Sequence, residues 1–205
     1  MKKIIFIVIT LWVINVSSAS AQAVWGGRIG LSYYTETVKT SGISFSGNAS
    51  GAELGPVLYY SLKNNLYINS GVMLGIMTAS GDSEDRDDYQ IQYNDNKYYY
   101  IDVPLYFGVN IPVSNSSFSF FGQAGPYVGY WFSSNSYVKE IINPLQAGLG
   151  IMAGINIKRF KFEFGYKVGL TNLTSVEEGY TFESIPFLES TSKLSSLFLG
   201  ISYVF

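Results

Sequence analysis

The sequence predicts an all-β protein, an eight-stranded antiparallel up-and-down β-barrel that spans a membrane. Charged residues make up 14% of the chain and aromatic residues 17%, whereas the usual charged share is about 25%. Eight segments alternate between apolar and polar side chains, which is the two-residue period of a β-strand. The connections between these segments alternate between long and short, as in barrels with long outer loops and short periplasmic turns.

The N-terminus has the features of a signal peptide. Two lysines precede an apolar stretch at residues 4–16, and small residues follow it, which is the order expected of an exported chain. The stretch is shorter than the roughly 20 residues of a membrane-spanning helix, so we expect cleavage, after Ala21 or Ala23, rather than an anchor. The expected domains are a signal peptide at 1–23 and a barrel at 24–205.

The eight alternating segments define the expected strands, and no helical apolar period competes with them after the signal peptide. We predict strands at 24–34, 50–61, 65–78, 97–111, 118–132, 145–157, 160–171 and 194–205. Long loops are expected at 35–49, 79–96, 133–144 and 172–193. An even number of strands places both termini on the side of the short turns, which we expect to be periplasmic.

Each predicted strand has one apolar face and one face with glycine or polar residues. In 160–168, Phe, Tyr or Val occupies every second position, and two lysines and a glutamate lie between them. A soluble barrel of the lipocalin type would turn the apolar face inward. Glycine, however, suits the crowded interior of a narrow barrel, and a uniformly apolar outer face suits hydrocarbon. We therefore expect the polar face to line the lumen.

Aromatic residues gather near the ends of the predicted strands, where membrane barrels carry girdles at the two interfaces. The residues expected in these girdles are Trp25, Tyr33, Tyr34, Tyr98, Tyr99, Tyr100, Tyr130, Trp131 and Tyr203.

Six charged strand residues fall on the face expected to line the lumen. They are Arg28, Glu53, Asp102, Lys161, Glu163 and Lys167. A Lys or Arg that faces lipid near the midplane costs about 2–4 kcal/mol, and a buried charge requires a partner. Since side chains just fill an eight-stranded barrel, we predict an internal network of ion pairs and a closed lumen.

No motif indicates catalysis, a cofactor or a metal. The chain has no Cys and no His, which excludes thiolate sites and catalysis by a histidine base, and a net charge of −2 gives no reason to expect nucleic-acid binding. The acidic segment 81–96 has oxygen ligands for Ca²⁺, but it lacks the ordered spacing of a calcium loop and contains Arg86. We interpret it as a solvated loop. The apolar residues 185–188 are expected to pack over the barrel mouth, and the alternative is that they contact a partner.

Several stretches resemble a known family. YIDVPLYFGVN at 100–110 is similar to the Y-(L/I)-(E/D)-(I/V)-P-L-L motif of the PorT-like outer membrane protein β-barrel family of Bacteroidetes. Further similar stretches are GPVLYYSL at 55–62, GPYVGY at 125–130, GLTNL at 169–173 and LGISYVF at 199–205. The resemblance covers 24–205. It implies an OmpA/OmpX-like barrel of the porin-family type, and some relatives belong to type IX secretion or gliding machinery.

The last predicted strand ends in alternating apolar residues, namely Leu199, Ile201, Tyr203 and Phe205. A strand that ends on Phe in this way resembles the signal by which the barrel-assembly machinery recognises outer-membrane proteins. We expect that machinery as a partner during biogenesis, lipid of the outer membrane as the surroundings, and a monomer.

The favoured function is a structural or interaction role, with long loops that contact an extracellular or secretion-system partner. The alternative is a narrow channel for ions or small solutes, which requires the charged residues of the lumen to move apart. An enzyme and a soluble lipocalin-like ligand-binding barrel are the weaker alternatives.

Overall fold

The computed structural model describes residues 23–40, 43–62, 64–79, 96–114, 116–133, 142–173 and 190–205. Residues 1–22 of the expected signal peptide, most of the acidic segment and residues 185–188 lie outside this part of the chain. The described residues contain no apolar helix of bilayer-spanning length.

The described residues form an antiparallel barrel. Its strands are β1 (Ala23–Thr40), β2 (Ile43–Ser61), β3 (Leu66–Gly71), β4 (Met73–Ala79), β5 (Asn96–Pro112), β6 (Phe118–Ser133), β7 (Leu145–Ile157), β8 (Phe160–Gly169) and β9 (Ser190–Val204). The sheet closes because β1 pairs with both β2 and β9. β3 and β4 both lie between β2 and β5, so nine strands fill eight positions. The predicted up-and-down barrel is confirmed.

Two prolines explain why the third predicted strand is divided at Val72. Pro56 on β2 and Pro104 on β5 flank the break, and neither has an N–H to donate to a ladder. The Val72 N–H donates to the carbonyl of Pro56 at 3.1 Å, and Ser70 Oγ donates to the carbonyl of Pro104 at 2.7 Å. The register is the same on both sides of the break, so the inward and outward faces are preserved.

The predicted long loop at 35–49 is wrong. β1 and β2 pair from the Ala23–Tyr60 pair to the Thr40–Ile43 pair, so most of this segment is a β-hairpin. Its sequence is rich in Ser and Thr, and the apolar alternation by which strands are recognised is confined to residues 43–46. Backbone pairing continues without that signal.

The apolar face lies outside the barrel. Ile151, Phe164 and Leu199 are about 60% exposed, and their neighbours in sequence are buried. We call the end of the barrel with connections 62–65, 113–117 and 158–159 the short-turn end, and the opposite end the long-loop end.

The expected aromatic girdles are wrong for four residues. Tyr34, Tyr98, Tyr100 and Trp131 are buried inside the barrel. Their side chains belong to the inward set of their strands, as does that of Asp102. Proximity to a strand end is therefore not sufficient to place an aromatic residue at the membrane interface.

Buried apolar side chains form three clusters inside the barrel. The long-loop cluster contains Tyr34, Ala49, Met77, Tyr98, Tyr100, Trp131, Ile142, Leu173 and Leu194. The central cluster contains Tyr106, Met152 and Phe198. The short-turn cluster contains Val57, Tyr59, Tyr67, Met73 and Phe121. The charged residues of the lumen lie among these clusters.

Candidate functional site

All six charged residues predicted to line the lumen have buried side chains. They are Arg28 on β1, Glu53 on β2, Asp102 on β5, and Lys161, Glu163 and Lys167 on β8, and each is at most 7% exposed. The alternation of each strand directs these positions inward, opposite the apolar outer face. Four of them contact one another, whereas Asp102 and Lys161 have other surroundings.

The four residues in contact, Arg28, Glu53, Glu163 and Lys167, are here named the central ion network. Arg28 donates from Nη2 to Glu53 Oε1 at 3.3 Å and from Nη1 to Glu163 Oε2 at 3.5 Å. Lys167 Nζ donates to Glu53 Oε2 at 2.8 Å. Two cations and two anions give the network a net charge of zero. This balance offsets the large cost of removing each charge from water.

Hydroxyl groups fill further acceptor positions of the two carboxylates. Glu53 Oε2 accepts from the Tyr100 hydroxyl at 3.4 Å. Glu163 Oε1 accepts from the Tyr59 hydroxyl at 3.3 Å and from Ser202 Oγ at 3.1 Å. Tyr100 lies on β5, Glu53 on β2 and Lys167 on β8, so the bonds of Tyr100 and Lys167 to Glu53 together connect β5 with β8 across the lumen.

Lys161 lies outside the central ion network, at the short-turn end. Its Nζ is 4.0 Å from the ring centroid of Phe121, 4.5 Å from that of Tyr59 and 4.7 Å from that of Tyr67. Such distances are those of cation–π interactions, which are strongest for desolvated cations. Within the described residues, no carboxylate forms a salt bridge with Lys161. Three aromatic rings therefore replace the ion pair that the sequence predicts.

Asp102 lies towards the long-loop end, where an indole stabilises it. Trp131 Nε1 donates to Asp102 Oδ1 at 3.2 Å, and the Trp131 ring stacks on Tyr100 at 4.6 Å between centroids. Asp102 and Lys167 also line a cavity of about 10 Å³, which is room for about one water molecule. Asp102 is thus close to the central ion network but is not paired with it.

Sequence reasoning missed the aromatic partners of the charged residues. They include Tyr59, Tyr67, Tyr100, Phe121 and Trp131. Their signal is present in the sequence, because each has the same parity along its strand as the inward residues beside it. Which aromatic ring meets which charge depends on the stagger of the strands around the barrel, and a sequence pattern does not give that stagger.

The second predicted site, the end of the last strand, is an outward-facing row. Leu199, Ile201 and Phe205 are exposed. The Tyr203 ring contacts those of Phe205 and Phe160, with centroids 5.5 and 5.1 Å apart. A role of this row in barrel assembly stays a prediction.

The described part of the chain offers little chemistry beyond these contacts. It contains no group of three or more His, Cys, Asp or Glu residues placed to hold a metal ion. The carboxylates of Glu53 and Glu163 are bound to cations and hydroxyl groups. What this arrangement can do is to fix the walls of the barrel and to exclude water from its middle.

Comparison with known proteins identifies the family. Residues 17–175 match the family "Outer membrane protein beta-barrel domain". The neisserial surface protein A (NspA) is similar in structure, with 13% identity and a TM-score of 0.45 over 87% of this chain and 97% of that chain. The outer membrane protein AlkL has 14% identity and a TM-score of 0.49 over 90% of each chain. The outer membrane enzyme PagL has 11% identity and a TM-score of 0.44 over 85% of this chain and 98% of that one.

No curated protein shows a significant sequence match to this chain. The family match nevertheless covers most of its length and agrees with the closed antiparallel barrel and its apolar outer face. The chain belongs to the family of outer membrane protein beta-barrel domains and lies in the bilayer of the outer membrane.

Proposed function

We propose that this protein is a closed barrel with a structural or interaction role, which acts through its long connections rather than as a pore. The observation that supports the proposal is the filled lumen. Three clusters of buried side chains follow one another along the barrel, and the central ion network lies among them.

The middle of the barrel gives the strongest support for a closed lumen. Tyr106, Met152 and Phe198 of the central cluster are each 1% exposed. The cavity beside Asp102 has room for about one water molecule. A hydrated ion needs a continuous passage, so conduction would require several of these side chains to move together.

We also propose that the protein is not an enzyme. The sequence has no His and no Cys, so a histidine base and a cysteine nucleophile are both excluded. Glu53 and Asp102, the carboxylates that could serve as an acid–base pair, are bound to cations and to an indole. PagL is an outer membrane enzyme, but its activity does not extend to this chain.

The finer assignment rests on the motifs of the sequence. We infer from them that the chain belongs to a PorT-like branch in Bacteroidetes, with its signal peptide at 1–23 removed and both termini in the periplasm. The barrel-assembly machinery would recognise the row that ends at Phe205. The long connections would contact an extracellular or secretion-system partner, since loops on a rigid scaffold commonly carry function.

Conductance in planar lipid bilayers tests the closed lumen. We expect the reconstituted full-length protein to show no steady conductance above that of the lipid alone. Folding is verified in the same sample by the shift in gel mobility on boiling. Stable conductance steps from the folded protein would overturn the proposal and support the narrow channel.

The narrow channel is the alternative because charged residues occupy the middle of the lumen. Lys167→Gln and Glu163→Gln each remove one charge from the central ion network. If the network closes a path, both variants raise the conductance, whereas Lys193→Gln, which removes an exposed cation at the long-loop end, leaves it unchanged. Unchanged conductance in all three variants would count against the channel.

A crosslinking experiment tests the interaction role. A photoreactive residue at Lys193, which is exposed near the start of β9 and beside the connection between β8 and β9, should capture a specific partner in intact cells. A variant with this connection shortened should lose the product while its heat-modifiable gel mobility is kept. Capture that is the same with and without the connection would contradict a role for it.

A further inference from the structure

The protein carries charges of opposite sign at its two ends. Of its 15 Asp and Glu residues, three are in the lumen, and the other twelve belong to the long connections or to the last part of β1, with only five Lys and Arg beside them. The connections of the short-turn end contain Lys63, Lys158 and Arg159 and no acidic residue. The short-turn end is therefore suited to anionic surroundings.

The turn between β7 and β8 holds two of these cations side by side. Lys158 and Arg159 are both exposed. Lys158 has a φ of 54°, and the other non-glycine residues with positive φ in the described chain are Asn64 and Asn65. Asn tolerates this left-handed conformation better than Lys does. The turn thus keeps a cation at a position where Asn would have the lower backbone energy.

An aromatic surface lies directly beside this turn on the outer wall. Arg159 Nη1 donates to the Tyr203 hydroxyl at 3.3 Å, which holds the guanidinium against the wall. Phe160 contacts Tyr203, with ring centroids 5.1 Å apart. The next outward residues along the two strands, Phe162 and Ile201, are exposed and apolar, and they pair in register. A cationic end therefore continues into an apolar strip that runs towards the membrane interior.

We propose that Lys158 and Arg159 bind the phosphate of an anionic phospholipid, with one acyl chain of that lipid along Phe162 and Ile201. A guanidinium donates two parallel hydrogen bonds to phosphate oxygens, and an ammonium adds a point charge. The Tyr203 ring lies between the charged and the apolar parts, as interfacial tyrosines do. The site depends on the position of the barrel in the bilayer and not on the role proposed for the long connections.

Lipid titration followed by native mass spectrometry tests the site. Full-length folded protein in detergent is titrated with phosphatidylglycerol and, separately, with phosphatidylcholine of the same acyl chains. The variant is Lys158→Asn with Arg159→Gln, in which Asn keeps the left-handed turn. The control, Lys97→Gln with Lys193→Gln, removes two exposed cations at the long-loop end, so both double variants have the same net charge.

The affinity for phosphatidylglycerol should depend on the two turn cations. The wild type should bind phosphatidylglycerol more tightly than phosphatidylcholine. Removal of the turn cations should lower the affinity for phosphatidylglycerol about fivefold per cation, since each Lys or Arg near an anionic surface contributes about 1 kcal/mol. The control should keep the affinity of the wild type, and the affinity for phosphatidylcholine should change little in either variant.

Two results would overturn the site. Equal affinity of the wild type for the two lipids would show that the turn does not select an anionic headgroup. An equal loss in both double variants would show that net charge alone is responsible. The shift in gel mobility on boiling verifies folding, and if the double variant does not fold, Arg159→Gln alone is compared with Lys97→Gln.

Discussion

The buried carboxylates of Glu53 and Asp102 are stabilised in different ways. Glu53 contacts Lys167 Nζ at 2.8 Å and Arg28 Nη2 at 3.3 Å. Asp102 accepts from the indole of Trp131 at 3.2 Å and forms no salt bridge with the described residues. Loss of the two negative charges should therefore have unequal consequences.

Glu53→Gln should lower the free energy of unfolding by about 3–5 kcal/mol, because it removes the carboxylate that Lys167 contacts and leaves Arg28 with Glu163 alone. Asp102→Asn should cost less, since the amide oxygen of Asn can still accept from the Trp131 indole. Urea unfolding of the two variants in lipid vesicles measures the difference. Equal losses of stability in the two variants would mean that the salt bridges of Glu53 stabilise the lumen no more than the hydrogen bond of Asp102 does.

These residues also show how far the sequence leads. Alternation along each strand gives the side of the wall to which a residue points, and on that basis the six charged positions could be selected. The position of a residue along its strand indicates only how deep in the barrel the residue lies. Tyr34, Tyr100 and Trp131 lie near the ends of their predicted strands but have inward parity, so an assignment by depth placed them wrongly. The aromatic rings around Lys161 depend on contacts between distant strands, which alternation does not encode.

Glycines on the inner face of the strands make room for aromatic side chains of the neighbouring strand. A Cβ atom on Gly75 would lie 2.0 Å from Tyr100 Cζ, and one on Gly108 would lie 2.2 Å from Tyr67 Cζ. Tyr100 in turn stacks on Trp131 and donates to Glu53. Each glycine is thus required for the tyrosine beside it to keep its position, and the two residues together fill the narrow interior of the barrel.

Gly75→Ala should destabilise the barrel by about 1–3 kcal/mol, the usual cost of overpacking a filled interior. Tyr100 would have to shift, and with it the bonds to Glu53 and Tyr34. Gly122→Ala is the matched control, since no atom lies within 4 Å of a Cβ at that outward position. Thermal loss of the heat-modifiable band compares the two variants. A Gly75→Ala protein as stable as the control would show that the lumen has space for the ring to move.

The limits of a strand could be predicted where its side chains pack on both faces, because packing determines the alternation of its residues. They could not be predicted where two strands continue to pair only through their backbones. β7, at Leu145–Ile157, has the predicted limits, because its outer residues face lipid and its inner residues face the lumen. The hairpin of β1 and β2 extends to the Thr40–Ile43 pair with a sequence in which alternation is confined to residues 43–46. The break at Val72 arises from prolines on the two flanking strands, which only the register brings beside it.

For the whole molecule, the surroundings on each side of the wall decide which residues are allowed. The outside carries exposed Leu, Ile and Phe from one end of the strands to the other, whereas the described charged residues of the turns lie beyond them. In water such a surface would associate, since large exposed apolar patches are interaction or aggregation sites. In a bilayer it is the expected surface, and its tolerance to charge should depend on depth.

Lysine substitutions at two depths of β7 measure that dependence. Ile151 lies in the middle of the strand and Ile157 at its short-turn end, and both are exposed on the outer wall. Ile151→Lys should lower the stability in lipid vesicles by about 2–4 kcal/mol, whereas Ile157→Lys should cost about 0–1 kcal/mol, because its ammonium reaches the interface. Urea-dependent folding into vesicles gives both values. Similar, small effects at both positions would mean that the outer wall at Ile151 faces water, whereas a large loss confined to Ile151 would locate the hydrocarbon at the middle of the strands.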